Sequence, residues 1–478
     1  MLRTEARRVG STVVPWLCAG VLAVIAGAAA ARAATAFVVG VIALLLVGAV
    51  WLWRSRQALV PFLLLVAAMQ GGTLLSLSLD VLPIATLMPL FGGWAVLAVL
   101  FDREQRPTAS PVTGIGQGLV PGLIALTASA QPFRGDGSGL SLTEMLTLVQ
   151  LAVLVLLTAH LLTEPRRVLW MGYVTMTIGG LLSVITLLAQ FGIASSWLVA
   201  VPSGAYARSS GLVGDPNYFS FQLLLALAFT VNSALTATTA RGKLLFWTVF
   251  VVIFAAIVTT YSAGALVGLV AVVGATLLLQ YKVSLKRALV AFTVIIAATV
   301  VVALVAPADY SDAVFGKYES GITGGSFERF GTGRGAAWEA AAREVADNPL
   351  LGVGLGGERV VRAIAGYYTF ERVERKAAHN MYLGLSVGAG ALGLAAFLVI
   401  LLTGFAVLWK ANARAAREGW AKTSQASASL FTALLVVATQ GLTLSLELEK
   451  FTWLMVGACV AVRFWPAEEG SPQTHRQP

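Results

Sequence analysis

The chain has 478 residues, 58% of them apolar and only 12% charged, with a mean hydropathy of +0.82. Soluble domains run about 45–50% apolar and about 25% charged, so a soluble enzyme is excluded. The formal charge of +10 belongs, in such a chain, to loops held on the cytoplasmic side and does not mark nucleic-acid affinity. Cys18 and Cys459 both lie inside apolar runs, which offers neither a disulfide framework nor thiolate spacing for a metal.

A membrane span takes roughly 20 apolar residues. In chain order the sequence predicts spans near 12–30, 35–53, 58–78, 83–101, 145–163, 168–190, 217–238, 244–260, 262–280, 288–305, 381–409, 427–446 and 451–465. The first is too long for a signal-peptide core, and further spans follow it directly. The stretch 112–130 is ambiguous, because Gly114, Gly116, Gly118, Pro121 and Gly122 interrupt it. Charge resolves it. If 112–130 crosses, Arg54/Arg56, Arg103/Arg106, Arg166/Arg167, Arg241/Lys243, Lys282/Lys286/Arg287 and Lys410/Arg414/Arg417/Lys422 all fall on one side. The short loops opposite then carry Arg32, Arg134, Arg208 and Lys450. The positive-inside bias therefore favours this topology, with both termini cytoplasmic. The expected fold class is an all-α polytopic membrane protein with about 12–14 transmembrane helices and a large extracytoplasmic helical loop.

That loop runs from Ala306 to Asn380, with nine basic and ten acidic residues. Loops beyond about 12–15 residues are functional or disordered. This one contains Phe327, Phe330, Trp338, Tyr367, Tyr368 and Phe370. Its run GAAWEAAAREVAD, Gly335 to Asp347, is rich in helix formers and stops at Asn348-Pro349. A small folded cap is expected. The domain reading is a first membrane helix set (1–305), the cap (306–380), the last membrane helices (381–466) and a cytoplasmic tail (467–478). The spans from 12–30 through 427–446 contain no Asp, Glu, Lys or Arg, so the chemistry is expected at the external edge rather than at mid-membrane.

Polar residues at that edge fall into three groups. The first is Arg208-Ser209-Ser210-Gly211, continuing to Asp215-Pro216-Asn217. The second is Gly333-Arg334-Gly335-Ala336-Ala337-Trp338, followed by Asn348-Pro349-Leu350-Leu351-Gly352-Val353-Gly354. The third is His379-Asn380-Met381-Tyr382, with Gly388 and Gly390 after it. Taken in order on one predicted face, these groups resemble the O-antigen ligase and polymerase superfamily over roughly Trp197 to Gly404.

The resemblance implies a GT-C-like membrane glycosyltransferase of the cell inner membrane. Its donor would be a polyprenyl-diphosphate-linked glycan, its acceptor a glycan or lipid, and its chemistry metal-independent with no cofactor. Departure of a lipid diphosphate builds negative charge on phosphate oxygens, which guanidinium groups bind in bidentate fashion. Arg208 and Arg334 are the candidates for that task. The attacking hydroxyl must lose a proton, and imidazole titrates in the range a general base needs; His379 is the candidate. Asn217, Trp338, Asn380, Tyr382, Arg329 and Glu447 are candidate substrate-binding residues.

Each has a plainer alternative. Arg208 suits a snorkelling membrane-edge arginine or an ion pair with Asp215. Pro216-Asn217 suits a helix start. Arg334 and Trp338, four apart, share a helix face and suit a structural cation–π contact. The glycines 352, 354, 356 and 357 lack a βαβ context and read as turns that allow close packing. Glu447 and Glu449 suit ordinary loop polarity between the last two spans. One departure stands out: family members often carry Ser-Arg-Gly at the external start of a later span, where this chain has Ser262-Ala263-Gly264. Arg329 or Arg359 would then have to supply the missing cation. Two other classes compete with the leading one, a lipid-linked glycan flippase and a cell-wall polymerase of the shape, elongation and division class.

Overall fold

A computed structural model describes residues 59–71, 142–190, 193, 200–203, 206–211, 213–280, 330–355, 357–365, 367 and 377–466. The expected spans 12–30, 35–53, 83–101, 112–130 and 288–305, Arg329 and the tail 467–478 lie outside the described residues. The chain divides into two compact units, 1–68 with 72–105, and 69–71 with 106–478. The described part of the first unit is residues 59–68 of helix α1 (Leu59–Gly71).

The second unit contains α2 (Leu142–Leu161), α3 (Pro165–Gln190), a hairpin of β1 (Ala200–Ser203) and β2 (Tyr206–Ser209), and α4 (Pro216–Thr236). Then follow α5 (Ala240–Val258), α6 (Ala263–Gln280), α7 (Phe330–Asp347), α8 (Gly357–Ala365), α9 (Met381–Glu418), α10 (Ala421–Gln440) and α11 (Lys450–Ala461). Five of these, α3, α4, α5, α6 and α9, are long and apolar enough to cross a membrane. The chain is a helical, multi-pass membrane protein. The antiparallel hairpin, Val201 opposite Arg208, is a departure from all-helical structure; its strands are too short to leave a pattern between two apolar spans.

Helix α10 packs against α3, α4, α6, α9 and α11, which makes it central among the described helices. Gly264 and Gly268 of α6, four apart, let α10 approach closely: a Cβ on either would meet Thr443 or Gln440 at 2.7 Å. Side-chain bonds fix which helix termini share an end. At one end Gln190 donates to Ser209, Ser262 to Asn217, Gln440 to the Gly264 carbonyl and Tyr218 to the Ser445 carbonyl. At the other, Gln280 donates to Asn232, Gln425 to Ser233, and Ser424 to Asn412. Arg166, Arg167, Arg241, Lys243, Lys410, Arg414, Arg417 and Lys422 therefore lie at one end, with Arg208 and His379 at the opposite end. This is the segregation the charge pattern predicts.

Helix α9 differs from the expected span 381–409 in two ways. It continues through KANARAARE to Glu418, because Ala, Arg, Lys and Glu are strong helix formers, and stops where Gly419 takes a left-handed conformation (φ 74°). It is also broken at Gly390 (φ 65°, ψ −170°). An unbroken helix would pair the Ala391 and Leu392 amides with the Val387 and Gly388 carbonyls. Here the amides donate instead to Pro349 (2.8 Å) and Leu350 (3.3 Å), and the carbonyls accept from Val353 (2.8 Å) and Gly354 (2.7 Å). The segment 349–354 thus repairs the break. Gly352 (φ 65°) lies against Val387 and Gly388 so closely that a side chain has no room.

Helices α7 and α8 stand on this joint. Ala340, Ala341, Val360 and Ile364 form a small core with Ala378 and Val387. Gly390→Ala, which combines a left-handed backbone with a clash against Leu350, is expected to cost about 1–3 kcal/mol and to lower the thermal midpoint in detergent. Gly274→Ala, where a Cβ meets open space, should not.

Candidate active site

Arg208 is carried by β2, and the hairpin is docked by two bonds from Ser209: its hydroxyl accepts from Gln190 (2.8 Å), and its amide donates to the Thr259 carbonyl (3.0 Å). The Arg208 guanidinium is then held by oxygens. Its Nε donates to the Thr260 carbonyl (3.0 Å), and its Nη2 to Asn217 Oδ1 (3.2 Å) and the Tyr261 carbonyl (3.5 Å). Asn217 Oδ1 also accepts from Ser262 Oγ (2.9 Å). The carboxylate of Asp215 caps α4 instead, accepting from the amides of Asn217 (2.7 Å) and Tyr218 (3.0 Å), with Pro216 at the first helical position. Asn217 both starts a helix and links Arg208 to the start of α6.

These bonds bear on Ala263. Arg359 sits in α8 with its side chain outside the described residues, as Arg329 is altogether. A guanidinium nevertheless stands at the start of α6, and it comes from Arg208 on the hairpin.

The second group centres on His379. Trp338 Nε1 donates to the Ala378 carbonyl (2.8 Å), so α7 holds the chain immediately before the histidine. Arg334 is half-buried one turn from Trp338 on the same face of α7. Asn380 caps α9: its Oδ1 accepts from the amides of Tyr382 (3.0 Å) and Leu383 (3.1 Å). The Tyr382 hydroxyl donates to the Ala438 carbonyl (2.8 Å), pinning α9 to α10. These bonds fix the start of α9 immediately after His379.

Both groups meet at residues 441–449, the turn between α10 and α11. Tyr218, next to Asn217, donates to Ser445 (2.8 Å), and the Met381 amide donates to Gly441 (2.7 Å). Glu447 lies in the same turn. It is 8% exposed, packs against Gly384 in the first turn of α9, and its Oε2 has no hydrogen-bond partner. Burial pushes its carboxyl up to about 7. Burial also raises Glu449, with the neighbouring Lys450 opposing the shift. Ordinary loop polarity does not describe a carboxyl in that state. Its burial had no sequence signal beyond its place between apolar residues in a tight turn.

Tyr261 is a residue that sequence reasoning passed over. Among the described residues, Tyr261 (φ 49°) and His379 (φ 46°) are the non-glycine residues with positive φ. Such a backbone costs an ordinary side chain roughly 1–2 kcal/mol. Both sit immediately before an external-end helix start, and in Tyr261 the turn aims a carbonyl at Arg208.

Residues 248–398, about a third of the chain, match the family model described as O-antigen ligase. No curated protein matches the chain. The matched stretch contains Tyr261, Ser262, Trp338, His379 and the break at Gly390, and leaves Arg208 and Glu447 outside it. The chain is therefore similar to O-antigen ligases over that stretch, which holds the second and third motif groups and leaves the first, Arg208 to Asn217, outside it.

The raised Glu447 carboxyl has a measurable consequence. The folded state holds its proton from the ordinary carboxyl range, about 4.5, up to about 7, whereas the unfolded chain has released it. This contribution is full below pH about 4.5 and is lost as pH rises through about 7. Thermal midpoints measured across that window should fall for the wild type relative to Glu447→Gln; parallel curves would mean the carboxyl is not buried.

Proposed function

We propose that the protein is a glycosyltransferase that moves a polyprenyl-diphosphate-linked glycan onto an acceptor hydroxyl at the external end of the bundle. The observation that carries this reading is convergence: Arg208 with Asn217, and His379 with Trp338, are far apart in sequence yet bond into the same end of the bundle, around the turn 441–449.

In the proposed reaction the acceptor oxygen attacks the anomeric carbon. The bond from that carbon to the diphosphate oxygen breaks, and its electron pair leaves with the diphosphate. His379 takes the acceptor proton. Arg208 and Arg334 receive the growing phosphate charge as fixed cations, which is where preorganised electrostatics acts most strongly. Products are a new glycosidic bond and the polyprenyl diphosphate. Asn217 acts through Arg208 by fixing its direction, and Trp338, Asn380 and Tyr382 act through the backbone around His379. Glu447, buried next to the start of α9, is a candidate acceptor-side carboxyl in this reading.

The flippase reading predicts charged groups along a central cavity; in the described spans α3, α5 and α9 the charged residues stand at the helix ends. The inner-membrane location and the diphosphate lipid belong to this proposal, since both follow from the class of reaction.

Purified protein given a polyprenyl-diphosphate oligosaccharide and an acceptor should form glycosidic bonds. Arg208→Ala and His379→Ala should each reduce turnover by about a hundredfold or more with near-normal expression. Arg208→Lys should fail to restore it, because a point charge does not reproduce the guanidinium's fixed fork. Full turnover in both alanine variants would refute the site; a product ladder would mark a polymerase and a single transfer a ligase.

A further inference from the structure

At the end of the bundle opposite the candidate site, α9 builds a second charged feature. Its apolar run ends at Trp409, yet the helix continues to Glu418. Lys410, Arg414 and Arg417 follow at i, i+4 and i+7, so they line one face, and all are exposed. The opposite face is fixed: Leu408, Asn412 and Ala415 are buried. Asn412 accepts from Ser424 (3.0 Å) and Ser427 (3.4 Å) and donates to the Leu279 carbonyl (3.5 Å). The extension is therefore pinned to both α10 and α6, with its cations directed outward.

Indole rings border this stripe. Trp409 is 50% exposed, and the Arg414 guanidinium lies 4.9 Å over the Trp420 ring. Tryptophan concentrates at the boundary between hydrocarbon and headgroups. From Lys410 to Arg417 the helix rises about 10 Å at roughly 1.5 Å per residue, enough to cross one headgroup layer. Lys422, exposed in the first turn of α10, extends the charge past Gly419. Glu418 is the acidic residue within this stretch.

We propose that this ledge, Lys410, Arg414, Arg417 and Lys422, binds the phosphate groups of anionic phospholipids in the leaflet facing that end. Guanidinium and ammonium groups at headgroup depth, with an aromatic border and a backbone that cannot swing away, match a phosphodiester carrying net negative charge. A soluble acidic protein is the poorer fit, because the stripe begins at the last apolar residue of the span rather than beyond the membrane surface.

The test compares thermal midpoints of the full-length protein in nanodiscs of phosphatidylcholine with and without phosphatidylglycerol. The wild type should gain several degrees from the anionic lipid. K410Q/R414Q/R417Q should lose more than half of that gain. R241Q/K243Q, at the same end but off the ledge, should keep it. The readout is the gain and not the midpoint itself, so a variant that is simply less stable still reports. No gain in the wild type, an equal gain in the triple variant, or the same gain from soluble glycerol phosphate would overturn the proposal. Retention of phosphatidylglycerol on the wild type but not on the triple variant in native mass spectrometry would support it.

Discussion

A helix crossing a bilayer must satisfy its own backbone, because hydrocarbon offers no partners. At Gly390 α9 fails to do so, and four backbone bonds from residues 349–354 supply what is missing. The rest of the external architecture depends on this repair. It anchors the end of α7 to the membrane helices, and α7 in turn holds Ala378 through Trp338. His379 follows immediately. Without the break these backbone bonds would not form, and α7 and α8 would be left with their apolar packing against α9, at Val387. The glycines at 352, 354 and 390 carry this arrangement, since each adopts a positive φ where the two backbones run in contact.

The hairpin performs the corresponding task on the other side. A long arginine on a loop would lose considerable rotamer freedom on becoming ordered. Arg208 is ordered by main-chain carbonyls at the junction of α5 and α6 and by Asn217, which is itself fixed in the first turn of α4. These bonds set the guanidinium's direction and do not themselves neutralise it. The Asp215 carboxylate caps α4, accepting from the amides of Asn217 and Tyr218.

Much of this was legible in the sequence because the bilayer imposes strong patterns. Spans, polarity of the bundle ends and the helix over GAAWEAAAREVAD follow from hydropathy, charge bias and propensity. The chemistry-bearing motifs were legible through their order along the chain. What the sequence did not disclose is long-range pairing. Nothing in Val353-Gly354 marks them as partners of Val387 and Gly388, because backbone bonds carry no side-chain signature. The same holds for the hairpin, and for Arg208 reaching the helix start at Ala263, where the expected arginine is absent. For Asn380 and Tyr382 the sequence shows polar side chains at a helix start, and the structure adds that one caps α9 and the other bonds α10. The helix extension to Glu418 was hidden by reading charge as loop.

Polar groups buried in the bundle are of two kinds, those bonded across helices and those without partners. At the basic end Asn232, Gln280, Asn412, Ser424 and Gln425 are joined by hydrogen bonds across four helices. Such groups stabilise packing when satisfied and cost free energy when not. Buried side-chain atoms without partners occur in the turn 441–449 and the first turn of α11 (Ser445 Oγ, Glu447 Oε2, Thr452 Oγ1), and also along α1, α3, α4 and α10 (Gln70, Thr186, Gln222 and Ser429). Tyr261 and His379 hold strained backbones at the external end. A fold selected only for stability would remove these features, as a glycine at 261 and a glutamine or leucine at 447 would do. Tyr261 and His379 lie beside Arg208 and Asn380 in sequence or bonding, so the strained backbones fall at the helix starts that the proposed site uses.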